Sequence, residues 1–184
     1  LAADQLHKLR SATRRTSQLA NQLLALSRAD AQAMQTQPTQ SVALETLCEG
    51  TLAQFIDAAS ARRIDLGLDA AQAQVSGHEW LLRELLANLT DNAIKYTPVG
   101  GTVTIRCGMR AGRAFVEVED NGPGIALPER ERVTERFYRV QGTSGEGNGL
   151  GLAIAFEIAR LHRAQWVLEQ GADKVGLRAG VWFL

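Results

Sequence analysis

Glu84, Asn88, Asn92 and Lys95 follow one another at steps of four, four and three. In a helix this spacing stacks an acid, two amides and a cation on one face. Leu81, Leu82, Leu85, Leu86 and Leu89 fill the other side of the same stretch and read as its core face. Oxygen and amide groups beside a cation on one rigid face suit a hydrated Mg²⁺ and the phosphates it bridges. An ordinary solvated helix face is the competing reading. The helix taken alone does not decide between them.

A second constellation closes the stretch Ala114 to Asp120. Val116 and Val118 point one way and Glu117 and Glu119 the other, so strict alternation puts Asp120 on the side of the valines. A carboxylate aimed at a core costs free energy unless something donates to it. Gly122-Pro123-Gly124 follows directly, leaving room for a flat group near the backbone. An acceptor-only carboxylate at the back of such a slot suits the exocyclic amino group of adenine and rejects guanine. A plain turn capped by Asp120 is the alternative.

A third cluster, Gly145-Glu146-Gly147-Asn148-Gly149-Leu150-Gly151, runs straight into the apolar stretch Leu152 to Ala159. Glycines at alternate positions let consecutive N–H groups face one anion, and the helix start adds its dipole. The spacing is not that of a Rossmann turn, and no GxxxxGK[ST] occurs in the chain. Between the two glycine clusters lies Glu135-Arg136-Phe137-Tyr138-Arg139. Its aromatics are expected to pack down and anchor a hinged loop, with Arg139, and Arg136 beside it, within reach of a terminal phosphate.

The elements that must position these groups can be read from periodicity. Residues 1–33 lack Gly and Pro and carry leucines at helical intervals, an amphipathic helix whose stripe needs a partner. Residues 35–41 read as a polar linker containing Pro38. Helices are expected over 42–62, 78–96 and 150–161, and strands over 64–68, 74–76, 102–107, 114–120, 165–169 and 176–183. The pair 102–107 and 114–120 forms a hairpin about a turn at 108–112. Interleaved helices and strands with one hairpin predict an α+β fold, a two-layer sandwich with a mixed β-sheet covered by helices on one face.

Composition narrows the function classes. With 184 residues, 45% hydrophobic and 22% charged, the chain can bury one good core plus an appendage. Lys+Arg and Asp+Glu both number 20, which argues against a nucleic-acid partner. Cys48 and Cys107 form no CxxC pair and read as reduced thiols. No apolar run approaches the roughly 18 residues that span a bilayer. The chain opens at Leu1 with neither methionine nor a signal-peptide pattern, and reads as a piece of a longer protein.

Taken in order, these clusters resemble the N box (Glu84 to Tyr96), the first glycine box (Asp120-Asn121-Gly122-Pro123-Gly124-Ile125), the F box (Glu135 to Arg139) and the second glycine box (Gly147 to Leu152) of sensor histidine kinases. Those boxes belong to the kinases' catalytic ATP-binding domain, a Bergerat-fold ATPase. The resemblance spans residues 42–184. Within residues 1–34, Leu19 to Asp30 is similar to the second helix of the family's dimerisation and phosphotransfer hairpin.

The resemblance implies ATP and Mg²⁺ as ligands, with Asn88 coordinating the metal and Asn92 meeting the phosphates. Lys95 and Arg139 would also face phosphate, Tyr96 would line the pocket and Asp120 would take the adenine amino group. Gly122, Gly124, Ile125, Phe137, Gly147, Gly149, Leu150 and Gly151 would shape pocket and lid. Glu84 matches the N-box acid, which activates water in related ATPases, and joins Asn88, Lys95 and Arg139 in the catalytic set. The implied partners are a response regulator, receiving phosphate on an aspartate, and a second copy joined through the hairpin helices. The implied setting is the cytoplasmic portion of a bacterial inner-membrane sensor, with the membrane reached only through segments upstream.

The family's acceptor histidine sits in a motif like H-E-x-x-[ST]-P, and none of His7, His78 and His162 reproduces it. His7 has Lys8 for the acid and Ala12 for the proline, His78 opens the N-box helix, and His162 ends the last helix, where a cation is mildly favourable. The acceptor is therefore expected upstream of Leu1, and autophosphorylation of this chain is not expected. The rival readings are a Bergerat ATPase of gyrase, chaperone or mismatch-repair type and a non-catalytic nucleotide sensor.

Overall fold

The computed structural model describes residues 38–140 and 148–184. The expected helix of residues 1–34, with His7, and the loop residues 141–147, with Gly147, lie outside the described residues.

The described elements are β1 (Gln40–Ala43), α1 (Leu44–Ala61), β2 (Asp65–Ala70), β3 (Gln74–Gly77), α2 (Glu79–Tyr96), β4 (Thr102–Arg110), β5 (Arg113–Asp120), α3 (Gly151–Leu161), β6 (Gln165–Gln170) and β7 (Leu177–Trp182). Five strands form a mixed sheet in the order β2-β4-β5-β7-β6, with β2 parallel to β4 and the other pairs antiparallel. β1 and β3 make a separate antiparallel pair, Gln40 opposite Gly77 and Ala43 opposite Gln74.

Sheet parity decides what faces the helices. Val103, Ile105 and Cys107 of β4 lie opposite Asp120, Val118 and Val116 of β5, and Val118 and Val116 lie opposite Ala179 and Val181 of β7. All these apolar residues are buried and share one face. The other parity is charged and paired: Arg106 bridges to Glu119 at 2.9 Å, and Arg178 to Glu169 at 3.0 Å. Glu117 belongs to this parity yet is 1% exposed. Arg110 clasps both its oxygens at 3.1 and 3.2 Å while lying 4.2 Å from the Phe115 ring centroid. A buried carboxylate is tolerable only with such a partner.

Leu81, Leu82, Leu85 and Leu86 of α2 are at most 1% exposed, and α2 packs against both α1 and α3. Each buried leucine favours this orientation by about 1.5–3 kcal/mol. The leucine stripe therefore fixes which way Glu84, Asn92 and Lys95 must look.

Two elements depart from the sequence reading. β1 occupies the end of the expected linker and the start of the expected first helix; its four residues carry too short an alternation to announce a strand, and pairing with β3 supplies the missing drive. The hairpin turn is tighter than expected. β4 and β5 run on to Arg110 and Arg113, leaving only Ala111 and Gly112, both left-handed at φ +52° and +76°, as in a two-residue turn.

His162 does not act as a cation at the end of α3. Its Nδ1 lies 2.8 Å from the Ile158 carbonyl, and its Nε2 accepts the His78 N–H at 3.1 Å. One nitrogen must donate and the other accept, so the ring is neutral. Burial, the largest cause, holds its pKa below the ordinary 6.5. The folded state then binds fewer protons than the unfolded one, so this contribution to stability is complete above pH 6.5 and is lost as pH falls through 6.5 toward the depressed value. Chemical unfolding followed between neutral and mildly acidic pH should show that loss. In His162→Gln the proton uptake linked to unfolding should fall by up to about one proton.

Candidate active site

The polar face of α2 meets the start of α3. The Asn88 amide nitrogen donates to the Glu84 carbonyl at 2.8 Å and to Glu84 Oε1 at 3.1 Å. A Cβ built on Gly151 would stand 2.8 Å from Asn92 Nδ2 and 3.4 Å from Asn88 Oδ1. The first helical residue of α3 therefore sits directly over both amides, and only glycine lets it come so close. Lys95 closes the row, its Nζ 5.6 Å from the centroid of the half-buried Tyr96 ring.

The sheet end of the site is built around Asp120, which is 9% exposed. Its Oδ1 accepts the Gly122 N–H at 2.8 Å, and the backbone of Leu177, paired opposite Asp120 in β7, also favours the ionised form. Burial nevertheless pushes the Asp120 pKa up from 3.8, against both. A Cβ on Gly122 would come within 3.0 Å of the Tyr96 carbonyl, so the first glycine turn lies against the end of α2. Gly124, at φ +70°, faces the Gly176 carbonyl, which an added Cβ would approach to 2.7 Å. Ile125 is half-buried, and its carbonyl accepts from Arg130 Nε at 3.0 Å.

The F-box segment joins the second glycine cluster through backbone. Phe137 N–H donates to the Gly149 carbonyl at 2.9 Å, and Gly149 lies so close that an added Cβ would reach 2.6 Å from the Tyr138 carbonyl. Tyr138 does pack, with its hydroxyl bonded to Glu129 and the Arg132 guanidinium 4.2 Å over its ring. Phe137 does not pack down as expected. It is 67% exposed, because its left-handed backbone (φ +66°) and its bond to Gly149 turn the ring outward. Arg136 and Arg139 are exposed on the same segment. Leu150 is buried at 2% exposure and serves as a core anchor for the start of α3.

The structure thus brings Glu84, Asn88, Asn92 and Gly151 together, joins Tyr96, Asp120 and Gly122 at the other end of α2, and leaves Phe137 and Arg139 exposed on the segment that bonds Gly149. Two residues essential to the Asp120 end escaped the sequence reading. Gly176 lies so near that an added Cβ would overlap the Asp120 carbonyl, and Leu177 pairs opposite Asp120, its backbone favouring the ionised carboxylate. Gly176 at the head of a strand was their only local trace.

The donor set fits Mg²⁺ of one kind. Among the described residues no group of three or more His, Cys, Asp or Glu could hold a metal ion. A single neutral amide oxygen from Asn88 suits a Mg²⁺ that keeps its waters and is held mostly by nucleotide phosphates.

Residues 77–183 match the model of the family described as histidine kinase-, DNA gyrase B-, and HSP90-like ATPases. Sensor protein kinase PmrB of Pseudomonas aeruginosa is 41% identical over 169 residues, covering 91% of this chain and 35% of that protein. The mycobacterial sensor histidine kinase MprB superposes with a TM-score of 0.69 at 29% identity, over 79% of this chain and 96% of that one. Full-length ShkA in complex with AMPPNP gives a TM-score of 0.79 at 25% identity, over 95% of this chain and 37% of that one. The chain spans about a third of the length of the curated relatives it matches. With its two glycine turns closing on an amide-bearing helix, the chain belongs to the histidine kinase-, DNA gyrase B-, and HSP90-like ATPase family, as an ATP-binding catalytic domain of the sensor histidine kinase kind.

Proposed function

We propose that this domain holds Mg-ATP between α2 and α3 and donates the γ-phosphate to a histidine, from which it passes to an aspartate of a response regulator. The observation that carries the reading is Gly151 standing over the amides of Asn88 and Asn92. That arrangement gives phosphates a helix start on one side and oriented amides on the other. Asn92 and Lys95 bind phosphate oxygens, and Arg139 meets the γ-phosphate from the rim. Asp120 accepts the adenine amino group, with Tyr96 beside the base. Mg²⁺, when bound through Asn88, supplies neutralising charge to the phosphates.

In the transfer, an imidazole nitrogen bonds to the γ-phosphorus as the bridging P–O bond breaks, ADP leaves and the imidazole gives up a proton. The protein's part is positioning and charge stabilisation. The described histidines do not suit the acceptor role: His162 has both nitrogens engaged, and the His78 ring packs edge-on against it at 5.9 Å. The acceptor belongs to a dimerisation hairpin, to which residues 1–34 contribute, while Gln40 and Ser41 at the end of the expected linker already belong to β1. In the parent protein two copies pair through that hairpin on the cytoplasmic side of the inner membrane. Among the described residues no helix is long and apolar enough to cross a membrane.

The test mixes this chain, Mg²⁺ and ATP labelled at the γ-phosphate with a protein carrying the complete hairpin. The expected result is acid-labile label on that protein's histidine, lost with Asn88→Ala. Hydrolysis without transfer would assign the domain to the ATP-driven machines of the family, and absence of Mg-dependent ATP binding would make it a non-catalytic module.

A further inference from the structure

We infer that Glu84 is a positioning residue for Asn88 and does not act as the proton acceptor of the reaction; the inference rests on the reading of this site as a Mg-ATP site. The Asn88 amide nitrogen is held at 2.8 Å by the Glu84 carbonyl and at 3.1 Å by Glu84 Oε1. A backbone carbonyl and an ionised carboxylate are both acceptors without a proton to give. The amide cannot be turned over, since Oδ1 would then face two oxygens. Two acceptors from one residue, both on the amide nitrogen, therefore fix which way the carboxamide points.

The consequence appears on the other side of the same group. Oδ1 is directed toward Gly151, 3.4 Å from where a Cβ would stand, which is where the second glycine cluster delivers the phosphates. An amide oxygen is a good ligand for a hard cation only while it is presented outward. Without the carboxylate, the amide nitrogen loses one of the two Glu84 acceptors that orient it, and rotamers that turn Oδ1 away gain weight. This is support of a ligand by a neighbouring acceptor, as metal-ligating groups commonly receive. It also explains an acid on the row at 84, one helical turn before the amide. Protonation at Oε1 would turn the amide's acceptor into a donor facing its NH₂, so a base role at that oxygen would undo the positioning.

Two variants separate the roles. Glu84→Gln keeps an oxygen acceptor at the same reach but removes the charge and the basicity, whereas Glu84→Ala removes both acceptor and base. The first readout needs no nucleotide: the Asn88 side-chain NH₂ signals in an NMR spectrum, identified by their absence in Asn88→Ala. They should keep their shifted, slowly exchanging character in Glu84→Gln and move to free-amide positions in Glu84→Ala. The second readout is Mg²⁺-dependent binding of a non-hydrolysable ATP analogue, expected to weaken about 10-fold in Glu84→Ala and less than about 3-fold in Glu84→Gln. Transfer to a hairpin-bearing partner should follow the same order. Unchanged Asn88 signals in Glu84→Ala would overturn the inference. So would a Glu84→Gln protein with normal signals and normal binding that transfers phosphate as poorly as Glu84→Ala. A wild-type domain that bound no Mg-nucleotide would instead sink the functional reading, while the ligand-free amide signals would still decide whether Glu84 orients Asn88.

Discussion

Gly151→Ala is expected to weaken Mg-ATP binding about 10- to 100-fold while leaving the unfolding midpoint unchanged or slightly raised. The added methyl would stand 2.8 Å from Asn92 Nδ2, inside any normal contact. Its nearest neighbour is the far end of a side chain, so the fold can yield: the Asn92 amide swings aside. On the proposed reading, that movement would take the amide off the phosphates and leave a methyl in their place. A hydrogen bond to a charged group contributes about 1.5–3 kcal/mol, which sets the expected range. Replacing glycine by alanine inside a helix gains up to about 1 kcal/mol of local stability, so the defect should show in binding and not in folding. Calorimetric titration beside thermal unfolding separates the two. Full affinity in this variant would mean that phosphates do not lie between Asn92 and α3.

How much of this could be read from the chain depended on sequence distance. The amide row of α2 was legible because all its members sit on one helix with a single period, and the leucines opposite give that period its phase. Asp120 was legible because Val116 and Val118 announce the parity four and two residues earlier, and the register Val103 opposite Asp120 bears this out. The contacts that complete each site come from far along the chain. Leu177 reaches Asp120 only because β7 pairs with β5, and nothing local to residues 170–180 says so. Gly151 meets Asn88 and Asn92 because α2 and α3 pack side by side, a tertiary fact.

Phe137 departs from expectation for a related reason. An aromatic in a polar loop is expected to pack, but its direction was set by a backbone bond to Gly149, on the far side of the loop. Buried Glu117 shows the same limit. The alternation placed it correctly on the polar parity, and only the fold revealed Arg110, stacked on Phe115, closing over it.

Asp120→Asn should weaken ATP binding about 10- to 100-fold without destabilising the domain, and should narrow the preference for ATP over inosine triphosphate. The carboxylate presents only acceptors; it is engaged by the Gly122 N–H, and the Leu177 backbone opposite it favours the ionised form. An amide must turn its NH₂ either toward that backbone donor or toward the adenine amino group. Either choice sets donor against donor, and one buried mismatched pair costs about 1–3 kcal/mol. Inosine carries a carbonyl where adenosine carries the amino group, so the same NH₂ that repels adenine can donate to hypoxanthine.

The effect on stability runs the other way. Burial raises the Asp120 pKa above 3.8, so its contribution to folding is complete below 3.8 and is lost as pH rises through the folded value. Where the carboxylate is ionised its burial therefore costs the fold stability, and the neutral amide removes that cost. Competition titrations with both nucleotides, beside urea unfolding at pH 7, measure the two effects. An Asp120→Asn protein with unaltered ATP affinity and an unaltered nucleotide ratio would place adenine somewhere other than against this strand end. A large loss of stability would mean that the ionised carboxylate holds the Gly122 and Leu177 turns together, making its service to the base secondary.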